Sequence, residues 1–209
     1  MRNNRCKICR RLGIKLFLKG DRCLSVKCAM VKRPYPPGEK AKKRRGPLSE
    51  YGKELKEKQK LRNWYNLSEK QISRYAREAL NRRSKLEDAG EFFIKKLESR
   101  LDNVIFQAGF AVSRIQARQL IGHGYFLVNG RKINIPSYQV KRGDKISLHP
   151  KSARKTIFQN IASFLKKHKA PSWIKIDGEK LEAEITGQAN LAEVNPPVEI
   201  SSIFEFYSK

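Results

Sequence analysis

Beyond residue 28 this 209-residue chain has no cysteine: all four, Cys6, Cys9, Cys23 and Cys28, lie within its first 28 residues. A secreted disulfide scaffold spreads its cysteines along the sequence, so this clustering argues for a reducing compartment. Long apolar runs are also missing. Nothing approaches the ~20 residues that cross a bilayer, and Met1 to Arg11 is basic and polar, without the apolar stretch of a secretory leader. A soluble intracellular protein with no membrane partner is expected. There are three histidines, His123, His149 and His168, and none sits beside serine, cysteine or paired carboxylates in a recognisable catalytic set. No P-loop and no glycine-rich dinucleotide fingerprint occurs. Neither an enzyme nor a small-molecule substrate is therefore expected.

Acids are scarce too: 20 Asp plus Glu stand against 46 Lys plus Arg, a formal net charge of +26. A chain this basic repels itself unless a polyanion neutralises it, and a phosphate backbone is the commonest such partner. The charge is uneven. Residues 1–46 hold sixteen Lys or Arg and two acids, Asp21 and Glu39, whereas residues 177–209 hold two Lys and seven acids. The N-terminal end is expected to face RNA and the C-terminal end protein or solvent.

The cysteines are spaced Cys6-x2-Cys9, thirteen residues, Cys23-x4-Cys28. Two close pairs separated by a loop suit tetrahedral Zn²⁺, because each pair can chelate from a tight turn. Four thiolates close the shell, so the site is expected to be structural, ordering a basic segment too short to build its own core. An iron–sulfur cluster and free thiols packed as small hydrophobes are the alternatives. Pro34-Tyr35-Pro36-Pro37-Gly38 follows, and then the run Lys40 to Arg45, which includes Lys42, Lys43, Arg44 and Arg45. Prolines break helices and like charges repel, so this stretch predicts an exposed arm held against a polyanion.

Pro47 to Tyr65 has helical spacing, with Leu48, Tyr51, Leu55, Leu61 and Trp64 on its apolar side. Ser68 with Gln71 forms a capping-box pattern, and Leu67 with Ile72 a hydrophobic staple, opening a second helix. A third is expected to carry Phe93, Leu97, Leu101 and Ala108 and to end at Gly109. Tyr51, Trp64, Tyr75, Phe92 and Phe93 fall at core spacing. Ser113 with Gln116 repeats the capping pattern, and that helix stops at Gly122 to Gly124. Asn129-Gly130 between Phe126–Val128 and Lys132–Ile135 predicts a hairpin, since a type I′ turn needs positive φ at both central residues. A strand at Lys145 to Leu148, a basic helix at Lys151 to Lys169 with Ile157, Ile161, Phe164 and Leu165 on one side, strands at Trp173–Ile176 and Leu181–Ile185, and an extended end at Val198 to Tyr207 complete the reading.

The helix after Ser113 and the hairpin after it present Arg114, Gln116, Arg118, Gln119, His123, Arg131 and Lys132, a set suited to phosphate and 2′-hydroxyl contacts. Arg114 and Arg118, four residues apart, are expected to share one face and one RNA backbone. For Arg100 an ion pair with Glu98 or Asp102 competes with RNA contact, and His123 has a simple turn position as its alternative.

Arg100-Leu101-Asp102-Asn103, Ser113 to Leu120, His123-Gly124, Val128-Asn129-Gly130 and Ile135-Pro136-Ser137-Tyr138 closely resemble the RNA-binding module named after ribosomal protein S-four. That module also occurs in tyrosyl-tRNA synthetases and pseudouridine synthases. Cys23 to Cys28, Pro36-Pro37-Gly38, Leu48 to Gly52, Glu57 to Lys60 and the closing Glu205 to Lys209 extend the resemblance to the bacterial small-subunit ribosomal protein family itself, in its cysteine-containing form. Two departures occur: Met1 to Arg5 lacks the family's usual opening segment, and Lys43 to Gly46 differs from its usual arm.

The resemblance implies a primary binder of small-subunit ribosomal RNA that nucleates subunit assembly. It also implies a place near the mRNA entry channel, with neighbouring ribosomal proteins and an influence on decoding accuracy. The expected location is the cytoplasmic ribosome, with an organelle ribosome left open. The expected fold is α+β: a zinc-stabilised segment and arm over 1–45, a helical domain of 46–98 and 151–209 with C-terminal strands, and an inserted RNA-binding module over 99–150. A pseudouridine synthase would need a catalytic domain that the 61 residues after Leu148 do not provide. A zinc-finger DNA reader would need a helix at the cysteine pairs, where Gly20-Asp21 and Pro34 stand instead.

Overall fold

The computed structural model describes residues 5–38, 46–81 and 86–208. The predicted arm, with Lys42, Lys43, Arg44 and Arg45, lies outside them. The cysteine segment, where Gly20-Asp21 and Pro34 argued against a helix, is nonetheless made of short helices, α1 (Arg5–Leu12), α2 (Asp21–Leu24) and α3 (Ala29–Lys32). Their small apolar centre is Cys9, Leu12, Leu16, Leu18, Cys23 and Cys28.

Helix α4 (Glu50–Trp64) starts where Ser49 accepts the Gly52 N–H at 3.2 Å. Helix α5 (Glu69–Leu80) carries both halves of the expected capping box. Ser68 Oγ accepts from Gln71 N and Gln71 Oε1 accepts from Ser68 N, which satisfies two N-terminal donors that have no partner inside the helix. Leu67 and Ile72 are both buried, as a staple requires.

The third expected helix is two. Helix α6 (Leu86–Glu98) and α7 (Leu101–Gln107) are separated at Ser99–Arg100. Arg100 is extended (φ −70°, ψ 137°), and the N–H groups of Leu101 and Asp102 donate to Tyr138 O and Pro136 O. Acceptors more than thirty residues away therefore replace the intrahelical ones. Helix α8 (Arg114–Gly122) is followed by β1 (Phe126–Val128), β2 (Arg131–Lys132) and β3 (Lys145–Leu148). Asn129 (φ 50°) and Gly130 (φ 77°) make the predicted turn. Asn129 Nδ2 donates to Asp144 Oδ1 at 2.8 Å, and Lys145 N donates back to Asn129 Oδ1 at 2.9 Å, tying the hairpin to the next turn.

The basic helix expected over Lys151 to Lys169 is interrupted. Pro150–Ala153 (α9), a 3-10 turn at Thr156–Phe158 and Ile161–Lys167 (α10) replace it. The buried set is Phe158, Ile161 and Leu165, while Ile157 and Phe164 are exposed. The extended Lys155 breaks the run and turns Phe158 inward, edge-on to Phe126. Strands β4 (Ile174–Asp177) and β5 (Glu182–Ile185) then pair, followed by α11 (Leu191–Val194) and α12 (Ile200–Ser208).

The chain forms two units: residues 1–93 with 195–209, and residues 94–194. This moves the expected boundary. Strands β4 and β5, assigned from sequence to the helical domain, belong to the sheet of the second unit, ordered β2-β1-β3-β5-β4. Strand β5 pairs with β3 in register Lys145↔Glu184, Ile146↔Ala183 and Ser147↔Glu182. It covers the otherwise open edge of β3 and extends its apolar face with Ala183 and Ile185. Helices α7 and α8 bury Val104, Ile105, Ala117 and Ile121 in the same core.

In the first unit, α12 is a helix where an extended end was expected. Its Ile203 and Phe204 are buried, and Phe204 meets Phe93 at 5.5 Å. Packing overrides the strand preference of these β-branched and aromatic residues. Of the aromatics assigned to the core, Phe93 and Tyr75 are buried, Trp64 and Phe92 half-buried, and Tyr51 is exposed with its ring 5.5 Å from Phe206.

Candidate nucleic-acid interface

Helix α8 begins at Ser113, whose Oγ accepts from Gln116 N at 3.3 Å. The Gln116 side chain reaches one residue further back than a standard box and accepts from Val112 N at 2.8 Å. Gln116 is thus part of the cap. Arg118 is half-buried one turn on, and Gln119 is exposed.

Arg114 does not share that surface. Only 8% of it is exposed; its Nε donates to Asn103 Oδ1 at 2.7 Å, and its guanidinium lies 4.6 Å from the Phe106 ring centroid. Asn103 Nδ2 in turn donates to Glu98 Oε2 at 2.6 Å, and Glu98 is fully buried. The chain Glu98–Asn103–Arg114 locks α8 to α7 from inside, and nothing in the local sequence announces it. Arg100 is likewise wholly buried and grips Asp102 bidentately, Nε to Oδ1 at 3.0 Å and Nη2 to Oδ2 at 2.6 Å. Of the two readings open for Arg100 in the sequence, the geometry is that of the ion pair, and no part of this side chain is offered to a partner.

The surface that remains is formed by the end of α8 and the hairpin. His123 caps α8 and is exposed, as are Arg131 and Lys132 on β2. Gly124 has φ +68°, and a Cβ there would overlap Lys132 Cε and stand 3.0 Å from its Nζ. Glycine at this point lets the lysine cross the turn beside His123. Gln119, His123, Arg131 and Lys132 are therefore exposed on α8, its cap and β2, and Lys132 packs over Gly124.

In the first unit all four cysteines are free thiols lining one cavity of about 20 Å³ with Leu18 and Met30. Burial pushes the Cys9 thiol up, a backbone hydrogen bond at Leu16 pulls it down, and Cys23, Cys6 and Cys28 push it up again. Lys19 N donates to Cys23 Sγ at 3.4 Å. Among the described residues no three His, Cys, Asp or Glu side chains form a ready metal-binding group.

The chain thus joins a cysteine-bearing helical unit to a unit that carries a sheet-backed helix pair and an exposed basic hairpin. Residues 1–98 match the family model of the ribosomal protein S4/S9 N-terminal domain, and residues 99–146 match the S4 domain. Small ribosomal subunit protein uS4 of Thermus thermophilus is 43% identical over 98% of this chain and 96% of its own. The uS4 proteins of Caldicellulosiruptor bescii and Kosmotoga olearia are 45% and 46% identical over the same shares. The chain belongs to the ribosomal protein uS4 family, which is not a family of enzymes.

Proposed function

We propose that this protein is a constituent of the small ribosomal subunit in the cytoplasmic ribosome and binds that subunit's RNA through the end of α8, the turn after it and the β1–β2 hairpin. The observation that carries the reading is the exposure of Gln119, His123, Arg131 and Lys132 along α8, its cap and β2 of the S4 domain, in a chain of net charge +26. Arg118 borders this surface, and Lys42, Lys43, Arg44 and Arg45 add a basic arm. The family resemblance supports a finer role: a primary binder that nucleates assembly, close to incoming mRNA, with protein neighbours that influence decoding accuracy. The acid-rich segment 177–209 suits those neighbours better than it suits RNA. Purified protein should bind naked small-subunit ribosomal RNA with no other protein present, in preference to large-subunit RNA at equal salt. Equal binding to both would leave only non-specific charge attraction and reject the reading.

We further propose one structural Zn²⁺ held by Cys6, Cys9, Cys23 and Cys28. Four sulfur donors around one ion-sized cavity suit a closed tetrahedral shell, and the Lys19 N–H already donates to one of them, Cys23 Sγ. Bound there, the ion would supply the cross-link that a six-residue apolar centre does not.

A further inference from the structure

Two lysines pack on the turn His123-Gly124-Tyr125. Lys132 crosses it at Gly124. Lys155 Nζ lies 4.2 Å from the Tyr125 ring centroid and donates to its Oη at 2.9 Å. Lys155 comes from the break between α9 and α10, outside the residues matched to the S4 domain. The His123 ring stacks on Tyr125, with centroids 5.5 Å apart and planes at 27°. Tyr125 is braced edge-on by Phe158 at 5.9 Å, and Phe158 is buried against Phe126. His123 itself is exposed.

A flat ring fixed by a stack beneath it, with ammonium groups at the two residues that follow it, is what a splayed-out nucleotide needs. Folded RNA is read chiefly where bases leave the helix, and such a base finds a π-face to stack on while its flanking phosphates find cations. A rigid duplex backbone would use the lysines and leave the imidazole face unused. We propose that this turn seats a single unstacked base of the RNA on His123, with Lys132 and Lys155 gripping the phosphates on either side. The proposal rests on the ribosomal RNA reading above. It adds Tyr125 and Lys155 to the interface and carries that interface beyond residue 146.

The test uses the full chain and naked small-subunit ribosomal RNA, with large-subunit RNA as control. Stacking predicts that His123→Ala weakens binding on the order of tenfold, while His123→Phe, which keeps a ring and loses the imidazole nitrogens, stays within roughly threefold of the parent. Lys155→Ala should lower the slope of log K against log salt by about one unit. Chemical probing should find one unpaired base protected by the parent and reactive in the His123→Ala complex. Parental binding by His123→Ala, or equal weakening by the Phe variant, overturns the stacked seat, and an unchanged salt slope for Lys155→Ala overturns the second grip. A parent with no preference for small-subunit RNA removes the ribosomal reading as well and is seen before any variant is made.

Discussion

Two arginines four residues apart on α8 illustrate how far a side chain's role depends on what lies beneath it. Arg114 is held by Asn103 and packed over Phe106. Removing it leaves the Asn103 amide oxygen short of a charged donor and opens space over the ring, a cost of about 1–3 kcal/mol. Arg114→Ala should therefore lower the melting temperature by several degrees, and Arg114→Lys should not restore it, because a lysine cannot match the planar contact. Arg118→Ala should weaken RNA binding. Calorimetry and RNA titration of the two variants side by side check both roles; a parental melting temperature for Arg114→Ala would show that the Glu98–Asn103–Arg114 chain holds nothing. Gly124 belongs to the same argument at smaller scale. An alanine there meets both a positive φ and the Lys132 side chain, so Gly124→Ala should displace the lysine and weaken RNA binding more than Lys132→Ala alone.

Among the elements, α12 is held by a polar latch. Tyr207 Oη donates to Glu69 Oε1 at 3.0 Å, Lys58 Nζ donates to the same oxygen at 2.6 Å, and Lys58 lies 4.2 Å from the Phe206 ring centroid. Burial raises the Glu69 carboxyl, but the hydrogen bonds from Lys58 and Tyr207 and the charges of Lys58 and Arg62 outweigh it, so the net value falls below the usual 4.5. Tyr207 is pushed up from its usual 10 by burial and by Glu69. A depressed carboxyl stabilises the fold above its unfolded value and loses that contribution as pH falls through the folded one. A raised tyrosine contributes fully below its unfolded value and loses this as pH rises. The latch should thus weaken below about pH 4.5 and again above about pH 10. Denaturation midpoints across pH should flatten at the acid end in Glu69→Gln and at the alkaline end in Tyr207→Phe; parental curves in both would dismiss the latch. The cysteine segment carries a parallel prediction: about one Zn²⁺ per chain, with Cys9→Ser loosening residues 1–45 to protease while the second unit stays folded. Elemental analysis without metal would reject it. What could be read from the sequence follows the same division. Caps at Ser68 and Ser113, the Asn129-Gly130 turn and strand β3 were legible because their signals lie within a few residues. The break at Arg100, the α12 helix and the burial of Arg114 were not, because each is fixed by partners on other elements: Tyr138 and Pro136, Phe93, and Asn103 with Phe106.

At the scale of the whole molecule, the +26 charge decides how binding responds to salt. Each phosphate neutralised by Lys or Arg releases counterions, so log K falls with log salt by roughly 0.9 per neutralised phosphate on duplex and less on single strands. A large share of that charge lies in residues 1–46, where sixteen Lys or Arg face two acids. If the arm lies along RNA, replacing Lys42, Lys43, Arg44 and Arg45 with Ala should make the slope shallower by about one unit for each phosphate no longer gripped, roughly four at most. The preference for small-subunit over large-subunit RNA should change far less, because phosphate contacts position a protein while contacts to splayed bases select the site. His123→Ala should show the reverse: an almost unchanged slope and a diminished preference. Measuring slope and preference for both variants in one salt series therefore assigns affinity to the arm and selection to the turn. A four-alanine variant with the parental slope would make the arm a spacer, and the phosphate contacts would then have to come from the cysteine segment and the hairpin.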